Sequence, residues 1–210
     1  MDGLKFLDFL PDSGEVVHMD REHSLAVLED PARLFREAIW WNAGCMPMPL
    51  STTAWMRLWF NAYVPHVISA EYAEALVQER LGRQARMIAS DCDITVYVGE
   101  EILLRAPYVA AGRDQLVYLD ELLRKEELGH GGIRVRVIPL SVGMHMLIAT
   151  SVIKVTSLVG SFYYLEQWHG GADITPDNVL LEEGLQQIRR ISLSAEATHE
   201  LIKSLLGSSH

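Results

Sequence analysis

One long stretch near the middle of the chain carries almost no charge, and it constrains the fold more than any other feature. From Val137 to Gly160 the only formally charged residue is Lys154, and a run of this length can span a bilayer. Pro139 and Gly143 interrupt the run, however, and its "ATSVIKVTS" segment is rich in β-branched residues interleaved with polar ones. Because β-branched residues favour strands, the stretch predicts buried strands and no membrane segment.

The remaining patterns predict an α+β protein with a mixed, largely antiparallel sheet flanked by helices. Ser69 is a typical helix N-cap, and a second helical pattern runs from Gly112 to Leu128. Thr175 with Pro176, and later Ser194, mark the starts of two more helices. The predicted strands are "AWMRLWFNAYVP", "DITVYVG", "VRVIP", "MLIATSVIKVTS" and "SFYYLEQW". We expect the last three to be antiparallel neighbours, because their links are too short for crossovers.

The N-terminal residues are predicted to form an extension to this domain. Asp30 followed by Pro31 is typical of a helix start, and the apolar stripe of that helix ends near Gly44. The stretch "NAGCMPMPLSTT" then has the Gly, Pro, Ser and Thr content of a connector. The predicted division is therefore residues 1–53, an extension with one short helix and a Pro-rich connector, and residues 54–210, the α+β domain.

Charge and cysteine content exclude several classes of function. The formal net charge is −10 over 210 residues, and such a chain repels nucleic-acid phosphates, so direct nucleic-acid binding is not expected. Two cysteines are too few for a disulfide scaffold. The acidic start "MDGLKFLDFLPDSGE" lacks the basic region of a secretory signal. The sequence predicts a cytoplasmic protein.

No cofactor or metal is expected. The eight histidines include no pair at the i, i+4 spacing of a helical metal site. The sequence also has no Gly-rich phosphate loop, no nucleophile elbow and no Cys/His dyad with usable spacing.

Three titratable residues are candidate catalytic groups: His145, Glu166 and Glu100. His145 follows a strand and a turn, where binding residues often collect, and the alternative is a turn residue without a role. Glu100 directly follows a strand, so it serves either as a base or as a cap of the next turn. Strand alternation puts Glu166 on the same face as Tyr164 and Trp168. It is either salt-bridged to an arginine or a desolvated proton carrier.

Arginines and aromatic residues supply the candidates for ligand binding. Arg80, Arg83 and Arg86 lie three apart on a predicted helix, and Arg83 is the expected anchor of an anionic group because guanidinium binds carboxylate with two hydrogen bonds. A solvated or salt-bridged helix face is the alternative. Five tryptophans are many for this length, and they line either a pocket or the core. The predicted ligand-binding residues are Arg83, Tyr164, Trp168, His66 and Trp59.

Seven stretches in one order carry a family resemblance. They are "YVPHVISAEYAEAL", "ERLGRQARM", "VYVGEEILLR", "RDQLVYLDELL", "VRVIPLSVGMH", "FYYLEQWHGG" and "IRRISLSAEATHELI". Together they resemble the antitoxin-like effector domain of unknown function that follows a helix-turn-helix in many actinobacterial regulators of the xenobiotic-response-element type. The chain departs from that pattern after Pro65, where His66 replaces the family's glycine. Its first 53 residues carry nine acids against four bases and make a poor DNA-reading unit.

Two functions follow from the resemblance and the departure. The first is a stand-alone effector-like module that binds a small molecule or a protein partner, with a homo- or hetero-oligomer as its expected state. The second is a cofactor-free enzyme of bacterial specialised metabolism that catalyses an elimination, cyclisation or isomerisation. In both cases the site is expected where the end of the Val135–Pro139 strand, the Glu100 turn and the "FYYLEQW" strand meet.

Overall fold

Seven strands form one mixed sheet. The structure, a computed structural model, describes residues 16–19, 35–130, 132–157, 160–166, 172–176 and 178–208. The sheet has the order β1-β7-β6-β5-β2-β3-β4. The pairs β2–β3 and β3–β4 are parallel and the other four are antiparallel, which confirms the predicted sheet type. The strands are β1 Val17–Met19, β2 Phe35–Trp41, β3 Asp93–Gly99, β4 Ile133–Ile138, β5 Val152–Ser157, β6 Gly160–Glu166 and β7 Ala172–Thr175.

Helices cover both faces of the sheet and enclose two apolar cores. Trp40 of β2 belongs to the larger core, together with Val77 of α2 and Leu119 of α4. Trp41, the next residue, points to the opposite face and packs in the smaller core with Ile188 of α5. The helices are α1 Thr53–Asn61, α2 Ala70–Ile88, α3 Glu100–Arg105, α4 Gly112–Glu127, α5 Val179–Ile191 and α6 Ala195–Ser208.

The predicted N-terminal helix is wrong, because Phe35–Trp41 is the strand β2. This strand lies between β3 and β5, and the four residues from Ala38 to Trp41 are all buried. A strand covered on both faces is apolar at successive positions and loses the alternation that identifies strands. Its apolar residues therefore fit a helical stripe equally well. Asp30 and Pro31 lie outside the described residues.

The stretch predicted as an aromatic strand is the helix α1. Thr52 caps it, since its hydroxyl accepts a hydrogen bond from the amide of Trp55 at 3.2 Å. Trp55, Met56 and Phe60 form its buried face. Their spacing follows the helical period, and packing on α2 and α4 outweighs the general preference of aromatic residues for strands.

The connector before α1 is part of the core. The Gln84 amide group donates hydrogen bonds to three carbonyl oxygens of residues 48–51, and the Gln115 carbonyl oxygen accepts one from the Thr52 amide at 2.8 Å. Both glutamines are buried. β2, the central strand of the sheet, lies before residue 53. The predicted boundary at this residue therefore falls inside one continuous structure.

The predicted pairing of three consecutive strands is only partly correct. β5 and β6 are antiparallel neighbours, but β4 pairs with β3 at the edge of the sheet and β5 pairs with β2. The link of residues 139–151 therefore crosses the ends of β3 and β2. It is tied down there, since the indole nitrogen of Trp41 donates to the Leu147 carbonyl at 2.9 Å. The helix predicted from Thr175 begins later, at Val179, after the cap Asn178.

Candidate functional site

The carboxyl ends of β2, β3, β4 and β6 lie along one edge of the sheet. β2, β3 and β4 are parallel, and β6 runs in the same direction because both it and β2 are antiparallel to β5. The sheet continues with β3 and β4 on one side of β2, and with β5, β6, β7 and β1 on the other. The carboxyl end of β2 therefore lies in the interior of this edge.

A cleft of about 280 Å³ opens beside the end of β2. This volume is just below the roughly 300–1,000 Å³ of sites for drug-sized ligands. The walls come from the segment after β2, from α1, from α3 and from the loop after α3. The lining residues are Gly44, Cys45, Met46, Trp55, Leu58, Trp59, Ala62, Ile102, Arg105 and Val109. Most of them are apolar, as in most small-molecule sites.

Asn42 lies next to Cys45, which lines the cleft. It is buried, and its carbonyl oxygen accepts a hydrogen bond from the Trp40 indole at 2.6 Å. Its amide nitrogen donates to the Cys45 sulfur at 3.5 Å and to the Glu166 carboxylate at 3.4 Å. Burial raises the pKa of the Cys45 thiol. The thiol is therefore protonated at neutral pH and is an uncharged wall of the cleft instead of a nucleophile.

Two arginines lie near this cleft and differ in their partners. Arg105 lines the cleft from the last turn of α3. It is exposed and makes no hydrogen bond or ion pair within the described part of the chain. Arg80 of α2 sits over the Phe60 ring at 4.7 Å from its centroid, and its guanidinium is 3.9 Å from the Glu166 carboxylate. Arg105 is thus the cation available to a ligand.

Glu166 and Arg83 have environments that differ from those needed for the predicted roles. The Glu166 side chain is 43% exposed, so it lacks the desolvation expected of a proton carrier, and its contact with Arg80 agrees with the ion-pair interpretation. Arg83 is buried, its guanidinium is 3.1 Å from Glu79, and burial lowers its pKa. Neither residue lines the cleft. Tyr164, also predicted to bind ligand, is buried in the larger core.

His145 and Glu100 lie at the same edge of the sheet. His145 is part of the link after β4, and Glu100 contacts this link. The His145 ring packs edge-on against Trp41, with 5.3 Å between ring centroids, and its Nδ1 is buried without a hydrogen-bond partner. Burial lowers the pKa of His145, and the nearby Glu101 charge opposes this change. The Glu100 carboxylate accepts a hydrogen bond from the Leu140 amide at 2.7 Å, which lies in the link after β4 and not in the turn that follows Glu100.

The predicted catalytic residues do not meet in one site. His145 packs on Trp41, which faces the smaller core, whereas Glu166 contacts Asn42 and Arg80 near the larger core. His66 is exposed in the turn between α1 and α2, and Trp168 lies outside the described residues. Trp59 lines the cleft.

The residues that sequence reasoning missed are Cys45, Asn42 and Arg105. Asn42 and Cys45 follow the strand β2, and this signal is lost when the sequence pattern predicts a helix there. Within the described ranges, no group of three His, Cys, Asp or Glu side chains is arranged to hold a metal ion. None of the described helices combines the length and the apolar character that a membrane crossing requires.

The fold and the cleft define an α+β protein with an apolar pocket at the carboxyl edge of a mixed sheet. Residues 24–204 match the family DUF5753, described as a domain of unknown function, and the chain belongs to this family. The match includes all of β2 and most of α6, so the central strand is part of the family domain. No curated protein and no solved structure matches the chain.

Proposed function

We propose that this protein is a cytoplasmic, effector-like module that binds a small molecule in the cleft beside β2. The cleft itself is the observation that carries the proposal, since it combines apolar walls with a few polar groups, as ligand sites do. The net charge of −10 supports a role without direct contact to DNA. The resemblance to effector domains of actinobacterial regulators supports a signalling role, in which the bound form of the module acts on a protein partner.

Binding is favoured over the alternative, a cofactor-free enzyme of specialised metabolism. Proton transfer needs a base within about 3 Å of the reacting atom or one water away. The titratable group that lines the inner cleft is the Cys45 thiol, which burial keeps protonated. The acid beyond it, Glu166, is engaged by Asn42 and Arg80. These groups support the recognition of a ligand better than its chemical conversion.

Calorimetric titration with indole-3-acetamide, a neutral and flat probe, tests the proposal. We expect saturable binding to the wild-type protein. The Ala62→Trp variant fills the cleft from its α1 wall, so it should abolish binding. Leu128→Ala, a change at an exposed position after α4, is the control and should bind as the wild type does. Circular dichroism verifies that each variant is folded. Equal binding by wild type and Ala62→Trp would refute the proposal.

A further inference from the structure

We infer that the ligand of the cleft is a flat, apolar ring system that carries one negative group. The ring system lies against the α1 wall, and the negative group pairs with Arg105. This inference rests on the proposed function and specifies the chemical class of the ligand. It depends on three features: an aromatic wall, an uncharged interior and one cation without a partner at the rim.

The aromatic wall comes from consecutive turns of α1. Trp55 and Trp59 are four residues apart, so they lie next to each other on one helix face, and both line the cleft. Trp55 is 8% exposed and Trp59 is 38% exposed, so the wall extends from the interior to the rim. Aromatic rings bind other rings through large, flat contact areas. A planar body of one or two rings suits a volume of about 280 Å³.

The described residues that line the interior of the cleft carry no charge. Met46 and Ile102 are buried there, and the Cys45 thiol stays protonated because burial raises its pKa. A charged group buried at this depth without a partner loses its hydration with little compensation. The charge of a ligand must therefore remain at the rim while its ring system enters.

Arg105 at the rim has no partner among the described residues, and the reason is structural. Glu101 precedes it by four residues, the spacing at which an acid and a base pair best on a helix. The Glu101 carboxylate instead folds back against Gly99, where it fills the space that a β-carbon would occupy. The Arg105 guanidinium thus retains its donors for a ligand. A guanidinium binds a carboxylate through two parallel hydrogen bonds.

The experiment compares two probes of the same shape and different charge, indole-3-acetate and indole-3-acetamide, by calorimetric titration. We expect the wild type to bind the anion up to about fivefold more tightly, the change that an ion pair at an exposed site gives. Arg105→Gln should remove this difference by weakening the anion alone. Arg113→Gln is the matched control, since Arg113 is also exposed and without a partner in the described chain, and it alters net charge equally.

The outcomes distinguish a failure of the inference alone from a failure of the proposed function. If both probes bind with equal affinity and Ala62→Trp blocks both, the cleft binds ligands but the preference for an anion is wrong. If Arg113→Gln weakens the anion as much as Arg105→Gln does, the general field of the protein is responsible and the assigned role of Arg105 is wrong. If neither probe binds the wild type, the inference fails together with the proposed function.

Discussion

His199 holds the last helix onto the body of the protein, and its removal should be costly. The ring is 3% exposed on α6. Its Nε2 is 2.7 Å from the Asp120 carboxylate and its Nδ1 is 2.6 Å from the Glu127 carboxylate, both on α4. The ring thus connects α6 to two carboxylates of α4. Sequence patterns give no indication of this link between helices.

The structure allows the loss to be estimated for His199→Ala. Asp120 is 11% exposed, so its bond contributes about 1.5–3 kcal/mol, as bonds to charged groups do. Glu127 is 53% exposed, and its bond adds only about 0–1 kcal/mol. A loss of about 3 kcal/mol corresponds to a fall in Tm of about 6–12 °C for a chain of this size.

Urea unfolding followed by circular dichroism measures this loss. The control is His130→Ala, because His130 is exposed and its side chain makes no hydrogen bond within the described residues. We expect the control to match the wild type within about 0.5 kcal/mol. A loss below about 1 kcal/mol for His199→Ala would show that the two ring contacts do not stabilise the packing of α6 on α4.

Two further changes test the packing and the charges of the fold. Hydrogen bonds, first from Lys154 and then from a tyrosine, lower the pKa of Glu182 from 4.5 to about 2. The carboxylate therefore stabilises the fold above about pH 4.5 and loses this effect as pH falls towards 2. Glu182 is 36% exposed, so solvent weakens this effect. We expect Glu182→Gln to reduce the change in the free energy of unfolding between about pH 4.5 and pH 2 by about 1–2 kcal/mol. An unchanged pH dependence would contradict this. A β-carbon at Gly112 would collide with the Ala106 carbonyl, whereas one at Gly207 would meet nothing. Gly112→Ala should therefore lower Tm by more than about 5 °C and Gly207→Ala should not, as differential scanning calorimetry can verify.

Elements with a clear local signal could be predicted from the sequence. The Ser69 hydroxyl accepts from the Tyr72 amide and begins α2, as its cap chemistry predicts. The strand β3 and the helices α4 and α6 also agree with their predicted positions. In these elements the local signals agree, so the choice between helix and strand does not depend on tertiary packing.

Elements decided by tertiary contacts were predicted wrongly. β2 is covered on both faces, so its sequence does not alternate. α1 is rich in tryptophan and phenylalanine, yet its Thr52 cap and its packing make it a helix. The position of β5 beside β2 instead of β4 depends on a link of residues 139–151 that crosses two strand ends. No local pattern specifies such a crossing.

The residues of the candidate site also depend largely on tertiary contacts that local patterns do not specify. Trp59 was predicted to bind ligand and does line the cleft. Arg83 was the expected anion anchor, but its burial beside Glu79 depends on the rotation of α2, which spacing alone does not fix. Arg105 is available only because Glu101 turns away from it. His145 and Glu166 fall on different faces of the sheet because Trp41 and Asn42, which they contact, are adjacent residues at the end of one strand.

A crystal structure of the protein grown with indole-3-acetate tests the central claim most directly. We expect the indole ring in the cleft, in contact with Trp55 and Trp59, and the carboxylate within hydrogen-bond distance of the Arg105 guanidinium. A cleft that is empty at saturating probe, or a ring bound elsewhere on the protein, would contradict the assignment of this cleft as the ligand site.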